Sequence, residues 1–156
     1  MSWFTNFLQS IFKTADISTI QPTSSIKVDN NYVYTIISTK FTNKYAFDKA
    51  HVYLSDSAYY LCSKADIETF LAQDATNKQN FVAETFDCDD FSYRLMGQLS
   101  IPSWSAIAFG IVWTNTHALN CFIDDTGKFY FVEPQSGKLQ EDLESWQGNE
   151  VLFILM

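Results

Sequence analysis

Four apolar segments follow Pro102 in quick succession, SAIAFGIVW, HALNCFI, KFYFVE and VLFIL, and turn residues join them. Short runs of this kind read as strands, so the last third of the chain is predicted to form a sheet. The stretch before them keeps a helical period. From Asp87, the residues Cys88, Phe91 and Leu95 fall on one stripe, with Ser92, Met96 and Leu99 beside it. Asp87 is a natural N-cap, and Asp89 and Asp90 occupy the first turn, where carboxylates suit the helix macrodipole. A helix followed by strands predicts an α+β domain in which an antiparallel sheet packs on the helix that carries Cys88.

Upstream, Trp3, Phe4, Phe7, Leu8, Ile11 and Phe12 recur at helical spacing, which predicts an amphipathic helix over 2–13. Residues 14–31 hold Pro22 and many small polar side chains and read as an arm. The division expected is therefore a helix and arm over 1–31 and one α+β domain over 32–156. Within that domain YVYTIIS (32–38) is β-branched and aromatic enough for a strand, and HVYL (51–54) is a second candidate. SKADIETFLAQ opens on Ser63 with Asp66 three residues later, a capping-box variant that starts a helix over about 64–73. DATNKQN is a loop.

The chain of 156 residues has 47% apolar residues, enough for one cored domain, and a formal net charge of −8. That charge, with no basic cluster, opposes nucleic acid and anionic membrane surfaces alike. No apolar run approaches the roughly 20 residues of a membrane span, and MSWFTNFLQSIFK lacks the basic start and cleavage site of a signal peptide. Three cysteines cannot all pair, and none shows metal spacing. A cytoplasmic setting with reduced thiols is the expectation.

The feature most open to chemistry is Cys88 at the start of its helix. The partial positive charge of free N–H groups tilts such a thiol toward thiolate, while Asp87, Asp89 and Asp90 push the other way. His117 is the base within reach of a sheet argument. It shares one strand face with Leu119, Cys121 and Ile123. If DDTGK turns through a three-residue loop with Gly127 in the left-handed position of a G1 bulge, Glu133 becomes the diagonal cross-strand neighbour of His117. A loop one residue different sends the carboxylate to the other face.

FDCDDFSYRLMG, THALNCFI and FYFVEPQSG, in that order, resemble the cysteine, histidine and acidic boxes of papain-like and transglutaminase-like cysteine enzymes. The resemblance is nearest to the papain-like C-terminal domain of the fairy-ring mushroom agglutinin and to similar small phage proteins, and it covers about residues 50–156. It implies a papain-like fold and a cysteine hydrolase acting on peptide or isopeptide bonds through a thioester. Cys88 would be the nucleophile, His117 the base and Glu133 the acid that orients the ring. It also implies calcium, with Asp89 and Asp90 as ligands, a peptide or protein substrate, and a host cytoplasm if the chain is phage-encoded.

Each of these readings has a plainer counterpart. Cys88 can be a buried structural thiol, as Cys62 and Cys121 are expected to be. Asp89 and Asp90 can be capping and a solvated first turn, and the Asp124, Asp125 and Gly127 loop a hairpin without metal. Trp104 and Trp113 can line a substrate groove or sit in the core, Trp146 reads as a packing contact, and His51 as a surface or structural residue. The same fold can also serve as a catalytically silent binding or assembly module, with the Trp3 to Phe12 stripe docking a partner or making a homo-oligomer.

Overall fold

The computed structural model describes residues 21–23, 25–48 and 51–156. The helix expected over 2–13 lies outside the described residues, as does the first part of the arm. What is described of the arm is ordered: β1 (Ile26–Asp29) pairs antiparallel with β4 (Ala58–Leu61), with Ile26 opposite Leu61.

Residues expected to form a strand at 32–38 belong instead to helix α1 (Asn30–Thr42). Asp29 caps it, its side chain accepting the Tyr32 N–H at 2.8 Å. Val33, Ile37 and Phe41 recur every four residues and are fully buried. A cap plus an i, i+4 apolar stripe outweighs the β preference of YVYTIIS, because tertiary burial of the stripe overrides propensity. Helix α2 (Lys64–Gln73) starts at the expected capping box, with Ser63 and Asp66 bonded to each other's backbone N–H. Asp66 also accepts the N–H and hydroxyl of Thr23, fastening the arm to the domain. Burial alone would raise the Asp66 carboxyl; these donors outweigh it and hold it below the usual range.

Helix α3 (Cys88–Leu99) follows a 3-10 turn at Thr76–Lys78, and Asp90 accepts the Asp87 N–H at 3.2 Å. The main sheet comprises β2 (Ala46–Phe47), β3 (Val52–Tyr53), β5 (Phe109–Thr114), β6 (Ala118–Ile123), β7 (Phe129–Glu133), β8 (Lys138–Gln140) and β9 (Glu150–Leu155). Its order is β2-β9-β5-β6-β7-β8, with β3 also on β9. The run from β9 through β8 is antiparallel, but β2 and β3 join β9 in parallel. The wholly antiparallel sheet expected from sequence is thus corrected to a mixed one. Strands about a hundred residues apart escape the hairpin constraint that makes sequence neighbours antiparallel.

The sheet is covered on both faces, and every residue of β6 is buried. Leu119, Cys121 and Ile123 pack with Val33, Ile37 and Phe41 of α1. Phe122 packs on the other side with Phe70, Leu95, Leu99 and Trp104. A single layer of sheet on the Cys88 helix is therefore not the architecture; α1 makes a second layer. Asn120 ties α3 to the sheet, its amide donating to the Ser92 and Gly110 carbonyls at 3.0 and 3.1 Å. Between Trp113 and Thr114 the β5/β9 register shifts, leaving Leu152 as a bulge whose carbonyl meets His51 Nδ1 at 2.9 Å. His51, expected to be a surface or structural residue, is exposed and makes this contact at the sheet edge.

The β6/β7 hairpin turns as its composition predicts. Gly127 has φ +80 and donates its N–H to the Asp124 carbonyl at 2.9 Å, and Ile123 faces Phe129. Asp124 Oδ1 accepts the N–H groups of Thr126 and Lys128 and the Thr126 hydroxyl, so the loop's carboxylate is used by the turn itself.

Candidate functional site

Four elements converge where β5 and β6 begin and end. Cap and packing place Cys88 at the first turn of α3, where the Phe91 ring packs at a tilt against Phe86 with centroids 4.8 Å apart. The turn between β5 and β6 supplies Thr114, Thr116 and His117. A cavity of about 270 Å³ opens there, lined by Cys88, Asp89, Trp113, Thr114, Thr116, His117 and Ala118.

The register delivers Glu133 to His117. His117 Nε2 lies 2.8 Å from Glu133 Oε2, and both residues are buried. Gln147, in a 3-10 turn at Ser145–Gln147, donates its amide to the same oxygen at 2.8 Å, and the Gln135 N–H reaches Oε1 at 3.2 Å. The Trp146 ring covers His117 with centroids 4.8 Å apart, although its indole is 54% exposed. Thr114 Oγ1 receives the His117 N–H at 2.9 Å and is 2.6 Å from the Gln147 carbonyl.

Cys88 behaves differently from the expectation built on the helix terminus. Burial raises its thiol, the Ala118 N–H partly offsets this, and the carboxylates of Asp87 and Asp89 raise it further. The net shift favours the protonated thiol, because desolvation and two nearby negative charges outweigh one turn of helix dipole. Cys62 and Cys121 are core thiols, Cys62 pushed up to about 12 by burial and Cys121 raised likewise.

Of the two tryptophans assigned to a groove, Trp113 lines the cavity, stacked on Phe153 at 5.2 Å. Trp104 does not: it is 1% exposed and packs edge-on to Phe70 in the core between α2, α3 and the sheet. Its flanking of the strand AIAFGIV suggested a groove, but the turn before β5 points it inward.

The two carboxylates proposed for a metal part company. Asp89 lines the cavity, whereas Asp90 accepts the Asp87 N–H at the helix start. Among the described residues, Asp87, Cys88 and Asp89 bring ligand atoms within 4.8 Å of one another. Asp87 and Asp89 share a hydrogen bond that lowers the first and raises the second, as two carboxyls sharing a proton do. Calcium takes six to eight oxygens, and this cluster offers two carboxylates and a thiol, so most of a calcium shell would have to come from water or a ligand.

Gln147, Trp146, Thr114 and Thr116 were not identified as site residues from sequence. Gln147 lies outside any periodic segment and reaches Glu133 only through a 3-10 turn, so no spacing announces it.

Residues 28–154 match the family model of the ricin-type beta-trefoil lectin C-terminal domain. Two solved structures share the fold. One, described as a PSL1a-E64 complex, is 20% identical with a TM-score of 0.66, and the match covers 83% of this chain and 50% of that one. The other is a Polyporus squamosus lectin bound to the human-type influenza-binding epitope Neu5Aca2-6Galb1-4GlcNAc, 18% identical, TM-score 0.63, covering 83% of this chain and 49% of that one. The chain thus spans about half the length of these two structures. No curated protein matches it.

These matches correct the sequence reading. The agglutinin half of the resemblance stands, while the papain-like assignment of fold and the cysteine-hydrolase activity give way to a lectin-family domain. Among the described residues no helix is long and apolar enough to cross a membrane.

Proposed function

Because the chain belongs to the family of ricin-type beta-trefoil lectin C-terminal domains, we propose that it works as a binding module, with the cavity beside Cys88 as its ligand site. The observation that carries this reading is the cavity itself. It joins an indole wall, Trp113, to hydroxyls of Thr114 and Thr116 and to the ring of His117, an apolar surface with a few fixed polar groups. Asp89 on its wall, Asp87 beside it and the chain's net charge of −8 set the electrostatic preference. A neutral or cationic ligand is favoured and an anionic one opposed.

The test is a titration of the labelled protein followed by amide and indole NMR. N-acetyllactosamine, the neutral part of the epitope held by the Polyporus squamosus lectin, and a short amidated peptide carrying one lysine are the probes, with the full sialylated epitope as the anionic comparison. Shifts confined to Trp113, Thr116 and Ala118 with a neutral or cationic probe, and lost in Trp113→Ala, are the expected result. No cavity shift with any probe, or a preference for the sialylated form, overturns the reading.

An assembly role rests on the apolar stripe of Trp3, Phe4, Phe7, Leu8, Ile11 and Phe12. Sedimentation of the full chain against a version lacking residues 1–20 checks it. The shortened chain is expected to show a lower association state at the same concentration; identical behaviour removes the assembly role.

A further inference from the structure

Glu133 is the hub of a small buried network. Its Oε1 accepts the Gln135 N–H, and its Oε2 accepts the Gln147 amide. As a carboxylate Glu133 only accepts, and each of its oxygens already takes one donor from the protein. The hydrogen in the 2.8 Å contact then sits on His117 Nε2, and in the neutral ring Nδ1 keeps the lone pair.

What holds Glu133 in this state is the turn that carries Gln147. Gln147 is 0% exposed, and all of its side-chain polar atoms are engaged. Its Oε1 accepts the Glu144 N–H at 2.8 Å and the Gln140 amide, which fixes the amide so that Nε2 can only face Glu133. The turn itself is latched to the loop of His117. The Gln147 carbonyl takes the Thr114 hydroxyl at 2.6 Å, and the Trp146 carbonyl takes the Thr116 hydroxyl at 3.2 Å. Gly148 allows the approach: it has φ +93, and a Cβ there would meet the side-chain oxygens of Asn115, Thr116 and Thr114. Trp146 then lies over the ring, its Nε1 donating to Glu144 Oε2 at 2.9 Å.

We propose that Gln147 is the positioning residue of this site: by donating to Glu133 Oε2 it holds that oxygen against His117 Nε2, keeps the neutral ring in its Nε2–H tautomer and so sets an acceptor nitrogen for the ligand of the cavity. The inference rests on the binding reading for the identity of what meets Nδ1, but the tautomer itself is a property of the free protein. A ligand of the cavity would accordingly present a hydrogen-bond donor to His117, which agrees in chemistry with the acidic wall at Asp89.

The experiment is long-range proton–nitrogen NMR of the His117 ring in the ligand-free protein at neutral pH, for the wild type, Gln147→Leu, Gln147→Asn and Trp146→Ala. The wild type is expected to show one neutral tautomer, protonated at Nε2, with well-separated ring-nitrogen resonances. Gln147→Leu removes the donor, and Gln147→Asn withdraws it by one methylene. In either folded variant the two resonances are expected to move toward each other as both tautomers become populated. Trp146→Ala removes the ring cover and the Nε1 bond to Glu144 but none of the Gln147 side-chain bonds, and is expected to keep the wild-type pattern.

A wild type that is protonated at Nδ1 or mixed overturns the proposal, whatever the variants do. So does a folded Gln147 variant with the wild-type pattern, or a Trp146→Ala protein that changes as much as the Gln147 variants. If the tautomer results hold while no probe binds the cavity, the positioning role of Gln147 survives and the binding reading fails. If probes bind with Gln147 replaced and the tautomer unchanged, the reverse is true.

Discussion

Gly110→Ala is expected to destabilise the domain by about 3 kcal/mol or more, the upper part of the range for overpacking a tight interior. A Cβ at Gly110 would press on the Leu155 carbonyl closer than real Cβ contacts allow, and would also meet Met156 Cα. Both obstacles are backbone, so no side chain can swing away. Nor can the end of β9 move aside freely: the Met156 carbonyl accepts the Ser55 N–H at 2.8 Å and the Tyr59 hydroxyl at 2.9 Å. Since whole domains are stable by only about 5–15 kcal/mol, the loss is a large share of the total. Urea unfolding measures it. A change under about 1 kcal/mol would show that β5 and β9 slide past each other more easily than their contacts suggest.

Glu133→Ala is the second large effect. It strips the acceptor from His117 Nε2 and from the Gln147 amide, both buried. An orphaned buried donor costs about 1–3 kcal/mol, so the pair predicts a loss of about 2–6 kcal/mol. Glu133→Gln keeps the shape and one acceptor oxygen and is expected to cost distinctly less. Thermal unfolding of the two variants side by side decides it. Equal, small losses would mean that water enters and satisfies both donors.

The site was partly legible in the sequence because one part of it is governed by parity. The composition of DDTGK fixes the turn, the turn fixes the register, and the register places Glu133 beside His117. The cap at Asp87 likewise put Cys88 at the head of α3. Two things could not be read the same way. The strand expected at 32–38 became α1 because what decides it is the burial of Val33, Ile37 and Phe41, a tertiary quantity. The protonation of Cys88 depends on how deeply it sits and which carboxylates face it, and helix position alone gave the opposite sign. Trp104 and Trp113 look alike in sequence, each flanking the same strand; only the three-dimensional path separates a core ring from a cavity wall.

The bulge at Leu152 has a mechanical meaning. It absorbs the mismatch between β5 and β9 one pair before the turn that carries Thr116 and His117, and His51 holds the displaced carbonyl. The register of the core pairs, Val112 with Ile154 and Ile111 with Leu155, is therefore insulated from the end of the ladder. A change in the loop at 115–116 is then passed to the turn of Trp146 and Gln147 it is bonded to, rather than along the β5/β9 ladder into the interior. Cavity shape can then be retuned from one end of the molecule while the core pairs beneath it keep their register.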